Sequence, residues 1–179
     1  MIGKIINYRY EVLEKIGDGP LFSVYKSRDK VLNRLVALKV LGREFAENRG
    51  FAESVTKSYS EVSGLAHPGI ARVIDAGCTD GECFIATEHA RGVSVKERIR
   101  RAGAMGVSLS LDVIMPVLEA LEYAHANRVV HGDIGPQDII VSPDGEVKLT
   151  DFGLRKALDE SPEVADRYTT RSVHYEAPE

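Results

Sequence analysis

The chain has 179 residues, enough for one domain of about 150 residues and a fraction more. With 44% hydrophobic and 28% charged residues it falls in the globular range, which excludes a disordered or collagen-like chain. Lys and Arg number 23 against 27 Asp and Glu, a formal charge of −4, so the cation excess of a nucleic-acid binder is missing and no nucleic-acid partner is expected.

In chain order, Tyr10 to Ile16 and Ser23 to Arg28 are strand-like runs on either side of Gly17-Asp18-Gly19-Pro20. Arg34 to Leu41 alternates into a third strand, so an antiparallel meander is expected. From Asn48 to Leu65, Phe51, Val55, Tyr59 and Val62 recur at helical spacing until His67-Pro68-Gly69 stops the helix. Two more strands are predicted near Ile70 to Ala76 and Cys83 to Glu88.

The character changes after Gly92. Ser94 to Arg101 reads as a short basic helix capped by Ser94. Leu109 to Asn127 reads as a longer helix whose Leu111, Ile114, Val117, Leu118, Leu121 and Ala124 occupy more than one face and call for burial on several sides. Short strands follow at Ile139 to Val141 and Val147 to Thr150, around the turn Ser142-Pro143-Asp144-Gly145. Leu154 to Arg171 is polar and is predicted to be a mobile loop.

No apolar run approaches the roughly 18 to 20 residues of a membrane span, and Met1 to Tyr10 carries Lys4 and Arg9 without a signal-type stretch. Cys78 and Cys83 flank a turn that would bring them near each other, but two thiols are not a disulfide framework. Both are expected to stay reduced, in a cytoplasmic protein.

Several short segments carry chemistry only in combination. Gly17-Asp18-Gly19 alone can be a turn that needs a positive φ, Lys39 in an apolar strand can be a snorkelling edge residue, and the aspartates of His131-Gly132-Asp133 and Asp151-Phe152-Gly153 can be solvated loop carboxylates. Their order and spacing together resemble the protein kinase family. The pieces are Ile16-Gly17-Asp18-Gly19, Val36-Ala37-Leu38-Lys39, His67-Pro68-Gly69-Ile70, His131-Gly132-Asp133, Asp151-Phe152-Gly153 and Ala177-Pro178-Glu179. A His-Gly-Asp loop also resembles small-molecule phosphotransferases related to aminoglycoside kinases; the Asp-Phe-Gly and Ala-Pro-Glu elements resemble protein kinases, of the bacterial Ser/Thr type.

The resemblance implies an α+β, two-lobed, protein kinase-like fold, with a five-stranded antiparallel N-lobe carrying one helix over residues 1–91 and part of a helical C-lobe over 92–179. It implies ATP and Mg²⁺ or Mn²⁺ as cofactors. Gly17 and Gly19 would border the phosphates, Val24 and Ala37 would roof the adenine with Ile140 as floor, Glu88 and Ala90 would bond its edge, and Thr87 would guard the back. Lys39 would neutralise phosphate charge, Asp151 and Asp138 would hold metal, and Asp133 would take the proton of the attacking hydroxyl. An apolar column through both lobes would comprise Val62, Val73, Phe152 and His131.

Departures from the family cluster at the chemistry. The helix glutamate that pairs with the strand lysine falls on Ser58; Glu61 lies about 4.5 Å further along the axis and some 60° round the helix. The catalytic-loop lysine is Gly135, with neutral Gln137 two residues on, and the metal-binding asparagine is Asp138, giving a trio of carboxylates with Asp133 and Asp151. The third loop glycine is Phe22, next to a Pro20 with no N–H to offer, and the arginine that binds a phosphorylated loop is Gly132, so switching through Tyr168, Thr169 or Thr170 is not expected.

Two functions follow. One is a Ser/Thr protein kinase of weak activity acting on a protein substrate. The other is a pseudokinase, a nucleotide-responsive or nucleotide-free protein-interaction module. The family's usual extent runs well past Glu179, so the long helix is expected to leave apolar surface uncovered and to favour a homo-oligomer or another partner.

Overall fold

A computed structural model describes residues 1–168. Six strands form one antiparallel sheet: β1 (Ile5–Ile6), β2 (Tyr10–Asp18), β3 (Phe22–Asp29), β4 (Arg34–Leu41), β5 (Val73–Thr79) and β6 (Glu82–Glu88), in the order β1-β2-β3-β4-β6-β5. The sheet has six strands where five were expected. The extra strand is only two residues long, too short to show a period, and pairs Ile5 with Glu11 and Ile6 with Tyr10. Alternation along β4 buries Val36, Leu38 and Val40 on one face, where they meet Tyr10, Val12 and Phe84 in a small core.

Between β4 and β5 lie α1 (Arg43–Ala46) and α2 (Arg49–Glu61). Asn48 caps α2 by accepting a hydrogen bond from the Phe51 N–H at 3.2 Å, and Phe51, Val55 and Tyr59 bury one stripe of the helix. The His67-Pro68-Gly69-Ile70 segment does not enter β5. Ile70 instead makes an isolated parallel bridge to Leu149.

Beyond β6, Gly92 adopts φ +115°, and a Cβ there would lie 2.0 Å from the Val141 carbonyl oxygen, so only glycine allows the chain to pass. A three-stranded sheet follows, β7 (Val93–Ser94), β8 (Ile139–Val141) and β9 (Val147–Leu149), with α3 (Val95–Ala102) and α4 (Val107–Ala126). Ser94 caps α3 as expected, accepting from the Glu97 N–H at 3.1 Å. One core runs through both halves, from Phe51 and Tyr59 through Ile85 to Val117, Ala120, Leu149 and Phe152.

Among the described residues, nothing covers the other face of α4. Leu111, Ile114, Met115 and Leu118 are exposed, Leu118 by 51%, in an i, i+3, i+4, i+7 stripe. No helix among the described residues is long and apolar enough to cross a membrane.

Two expectations are overturned. The segment after Gly153 is helical up to Tyr168, as α5 (Leu154–Asp159) and α6 (Pro162–Tyr168). Leu154, Ala157, Leu158 and Val164 supply its buried stripe, and Ser161-Pro162-Glu163 is a helix-start signal that the surrounding charge obscured. The cysteines are also bonded. Cys78 and Cys83 stand directly opposite across the β5–β6 hairpin, whose turn at Asp80-Gly81 sets the register, and a disulfide joins them. Thr169, Thr170 and Ala177-Pro178-Glu179 lie outside the described residues.

Candidate active site

β4 lies inside the sheet between β3 and β6, so Lys39 is no edge residue. Its side chain is buried, the residue being 7% exposed, and its ammonium pairs with Asp151 Oδ1. Burial lowers the Lys39 pKa to about 8, against the pull of the Asp138 carboxylate. Asp151, two residues beyond β9, has φ +70°, a strained conformation for a non-glycine residue, and its carboxylate meets Lys39.

Strand register fixes where several of the other predicted residues lie. Val24 is opposite both Gly17 and Lys39, and Ala37 is opposite Thr87. The Thr87 hydroxyl makes long contacts to the carbonyls of Ala37 (3.5 Å) and Glu88 (3.4 Å). The Glu88 N–H is donated to the Arg72 carbonyl at 2.8 Å, and its carboxylate pairs with Lys148 at 3.0 Å. Ala90 is half-buried beyond the end of β6, and half-buried Ile140 of β8 pairs with Ser94 of β7. Gly17 and Gly19 do not take a positive φ, and the Gly19 N–H closes the hairpin on the Phe22 carbonyl at 2.7 Å.

The catalytic-loop segment is held by His131. Its Nε2 shares a 2.7 Å hydrogen bond with the Thr150 carbonyl, its ring stands edge-on to Phe152 at 4.7 Å, and burial lowers its pKa. Val62, Val73, Phe152 and His131 are all buried, and the three apolar members share one core, as the column requires. Asp133 is half-exposed, with its N–H 3.4 Å from His131 Nδ1.

Asp138 is buried. Its Oδ2 accepts from the Gly135 N–H at 2.8 Å and from the Gln137 amide at 3.0 Å, and burial raises its pKa to about 7 despite those donors and Lys39. Among the described residues, no three His, Cys, Asp or Glu side chains converge as a metal cluster, so the expected carboxylate trio with Asp133 and Asp151 does not assemble. The carboxylates of Asp151 and Asp138 remain hard oxygen donors of the kind Mg²⁺ or Mn²⁺ takes.

The α2 residues rearrange the expected pattern. Ser58 is buried with its hydroxyl unbonded, and Glu61 pairs with Lys156 on α5, away from Lys39. The next residue after Ser58 reaches the site: the Tyr59 hydroxyl donates to Asp151 Oδ1 at 3.2 Å. Sequence reading placed Tyr59 on the buried stripe and missed this contact, because helical spacing identifies a buried face but not what a long side chain touches. Gly132 has φ +77°, and a Cβ there would meet Arg155 Cγ at 2.7 Å, so the Arg155 stem fills the space beside it.

Comparison with known proteins bears on the whole arrangement. Residues 10–179 match the protein kinase domain family. The chain is 37% identical over 179 residues to a probable serine/threonine-protein kinase, CPE1738, of Clostridium perfringens, covering 100% of this chain and 26% of that protein. It is 34% identical to the serine/threonine-protein kinase PrkC of Bacillus subtilis, covering 100% and 28%. The chain thus spans about a quarter of the length of these relatives. The PknI kinase domain of Mycobacterium tuberculosis superposes with a TM-score of 0.75 at 26% identity, over 86% of this chain and 62% of that one. With family motifs, fold and relatives in agreement over nearly its full length, the chain belongs to the protein kinase family, with bacterial serine/threonine kinases among its relatives.

Proposed function

We propose that residues 1–91 and 92–179 act as the N-lobe and part of the C-lobe of a kinase domain that binds ATP with Mg²⁺ or Mn²⁺ and transfers the γ-phosphoryl to a Ser or Thr hydroxyl of a protein, slowly. The observation that carries this is the pairing of buried Lys39 with the partly exposed Asp151, with Lys39 opposite the same Val24 that faces Gly17. A buried cation beside a hard carboxylate suits a metal-bound triphosphate. Lys39 holds phosphate charge, Asp151 and Asp138 are the metal donors, and the metal, when bound, shields the phosphate oxygens. Val24, Ala37 and Ile140 enclose the base, with Thr87 behind it and Glu88 and Ala90 at its edge. Asp133 accepts the hydroxyl proton as the oxygen bonds to the γ-phosphorus, the bond to the bridging oxygen breaks and ADP leaves.

A low rate follows from the loop. Gly135 brings no cation to the transferring group, and loss of one preorganised cation costs about 3 kcal/mol or more of transition-state stabilisation. The second reading, a pseudokinase that binds nucleotide or partner without turnover, is favoured by an Asp138 already engaged by Gly135 and Gln137. In either reading the partner is a protein, and the α4 stripe supports association with a second copy.

Calorimetric titration with ATP, with and without Mn²⁺, tests the binding claim. The wild type is expected to bind only with metal, and Lys39→Met is expected to lose at least tenfold in affinity. Equal binding by the two proteins would remove Lys39 from the site.

A further inference from the structure

We infer that Tyr59 is the positioning residue through which α2 holds Asp151, in place of a helix carboxylate on Lys39; this rests on the ATP–metal reading of the site. Three observations converge. The position where a carboxylate is missing, Ser58, ends in a buried hydroxyl without a hydrogen bond, so it contributes nothing polar to the cluster. Glu61, the nearest carboxylate of α2, is turned outward to Lys156. Tyr59, 0% exposed, spends its only polar atom on Asp151 Oδ1, the same oxygen that pairs with Lys39.

The chemistry differs from that of a glutamate in two ways. A phenol donates and carries no charge, so it adds no negative charge beside a polyphosphate, and Lys39 keeps Asp151 as its partner. Because Tyr59 and Lys39 both approach Oδ1, the carboxylate is held in orientation, while Oδ2, among the described residues, has a long 3.4 Å contact from the Thr150 hydroxyl. Oδ2 is therefore the oxygen presented to a divalent cation.

The tyrosine also ties Asp151 to the glycine-rich hairpin. The Phe22 ring stands edge-on to the Tyr59 ring at 6.4 Å and is buried with it. Phe22, at the place of a third glycine, thus packs inward onto α2, and hairpin, helix and Asp151 meet at one phenol ring.

The test uses Tyr59→Phe, which keeps the ring and its packing and removes only the hydroxyl. Affinity for ATP is measured calorimetrically with and without Mn²⁺, alongside melting of Tyr59→Phe, Asp151→Asn and the double variant without nucleotide. Tyr59→Phe is expected to weaken metal-dependent ATP binding about tenfold or more, the size of one lost hydrogen bond to a charged group. The two substitutions are expected to be non-additive in melting temperature. Metal-dependent affinity within twofold of wild type, or additive melting shifts, would overturn the assignment. If the wild type binds no metal·ATP while the melting shifts are non-additive, the nucleotide reading has failed and the role of Tyr59 in it falls, though the contact is real. If the wild type binds and the shifts are additive, the positioning role alone has failed.

Discussion

Glu61, the last residue of α2, forms its ion pair with Lys156 of α5, while Lys39 pairs with Asp151. The Glu61–Lys156 pair is solvent-exposed and joins the helix to the segment that follows Asp151-Phe152-Gly153; Ser54 on the same helix adds a hydrogen bond to Glu160. The α2 carboxylate thus tethers α5 and leaves the buried cluster to Lys39, Asp151 and Tyr59.

Glu61→Gln is therefore expected to leave affinity for metal·ATP within twofold of wild type. An exposed, screened pair also contributes little to stability, so melting should move only slightly. A tenfold loss of nucleotide affinity in calorimetry would show that α2 turns to bring Glu61 onto Lys39.

Gly135 stands where the loop lacks a cation. It has no positive φ, but a Cβ at this position would lie 2.2 Å from the Gln137 amide nitrogen, so a side chain here must displace Gln137 from its hydrogen bond to Asp138. Gly135→Lys is expected to raise the rate of phosphoryl transfer at least tenfold, within the range for one preorganised charge. An unchanged rate, with nucleotide affinity retained, would place the limiting step elsewhere.

Asp138 predicts a pH dependence of stability. Its folded pKa is raised from 3.8 to about 7, chiefly by burial, so between those values the native state holds a proton that the unfolded state has released. Stability falls as pH rises through that window and levels off above about 7. Asp138→Asn removes this slope and can still accept from the Gly135 N–H. Relative to wild type, its melting temperature should gain progressively from about pH 4 and reach a plateau above pH 7, worth on the order of a few kcal/mol. A gain that is constant with pH would show that Asp138 does not titrate in this range.

The strands were legible because they rest on periodicity, and the meeting of Lys39 with Asp151 because it rests on motif order. Alternation along Arg34–Leu41 placed the third predicted strand correctly, and fixed motif spacing brought Lys39 and Asp151 to one place. What escaped depends on tertiary contact. A buried Tyr59, unlike Val55, must find a partner for its hydroxyl, but helical spacing does not say that the partner is Asp151. The charges of Asp159, Glu160 and Glu163 hid the apolar stripe of α5 and α6, and the cysteine pairing depended on hairpin register.

The α4 stripe predicts self-association. Leu111 and Leu118 lie two helical turns apart on the exposed face, so Leu111→Glu with Leu118→Glu puts charge across the patch without entering the core. Sedimentation should show a concentration-dependent dimer for the wild type and monomer for the double variant. A wild-type protein that is monomeric at all concentrations, with a cooperative melt, would contradict association through this face.

The central claim, that the Lys39–Asp151–Asp133 site transfers a phosphoryl group, is tested most directly by incubating the purified chain with γ-labelled ATP, Mg²⁺ or Mn²⁺ and a generic protein acceptor. Slow incorporation of label into Ser or Thr of the chain or the acceptor is predicted, and it should be abolished by Asp133→Asn. Incorporation that survives Asp133→Asn would contradict the assigned mechanism, and no incorporation despite metal-dependent ATP binding would establish the pseudokinase reading in its place.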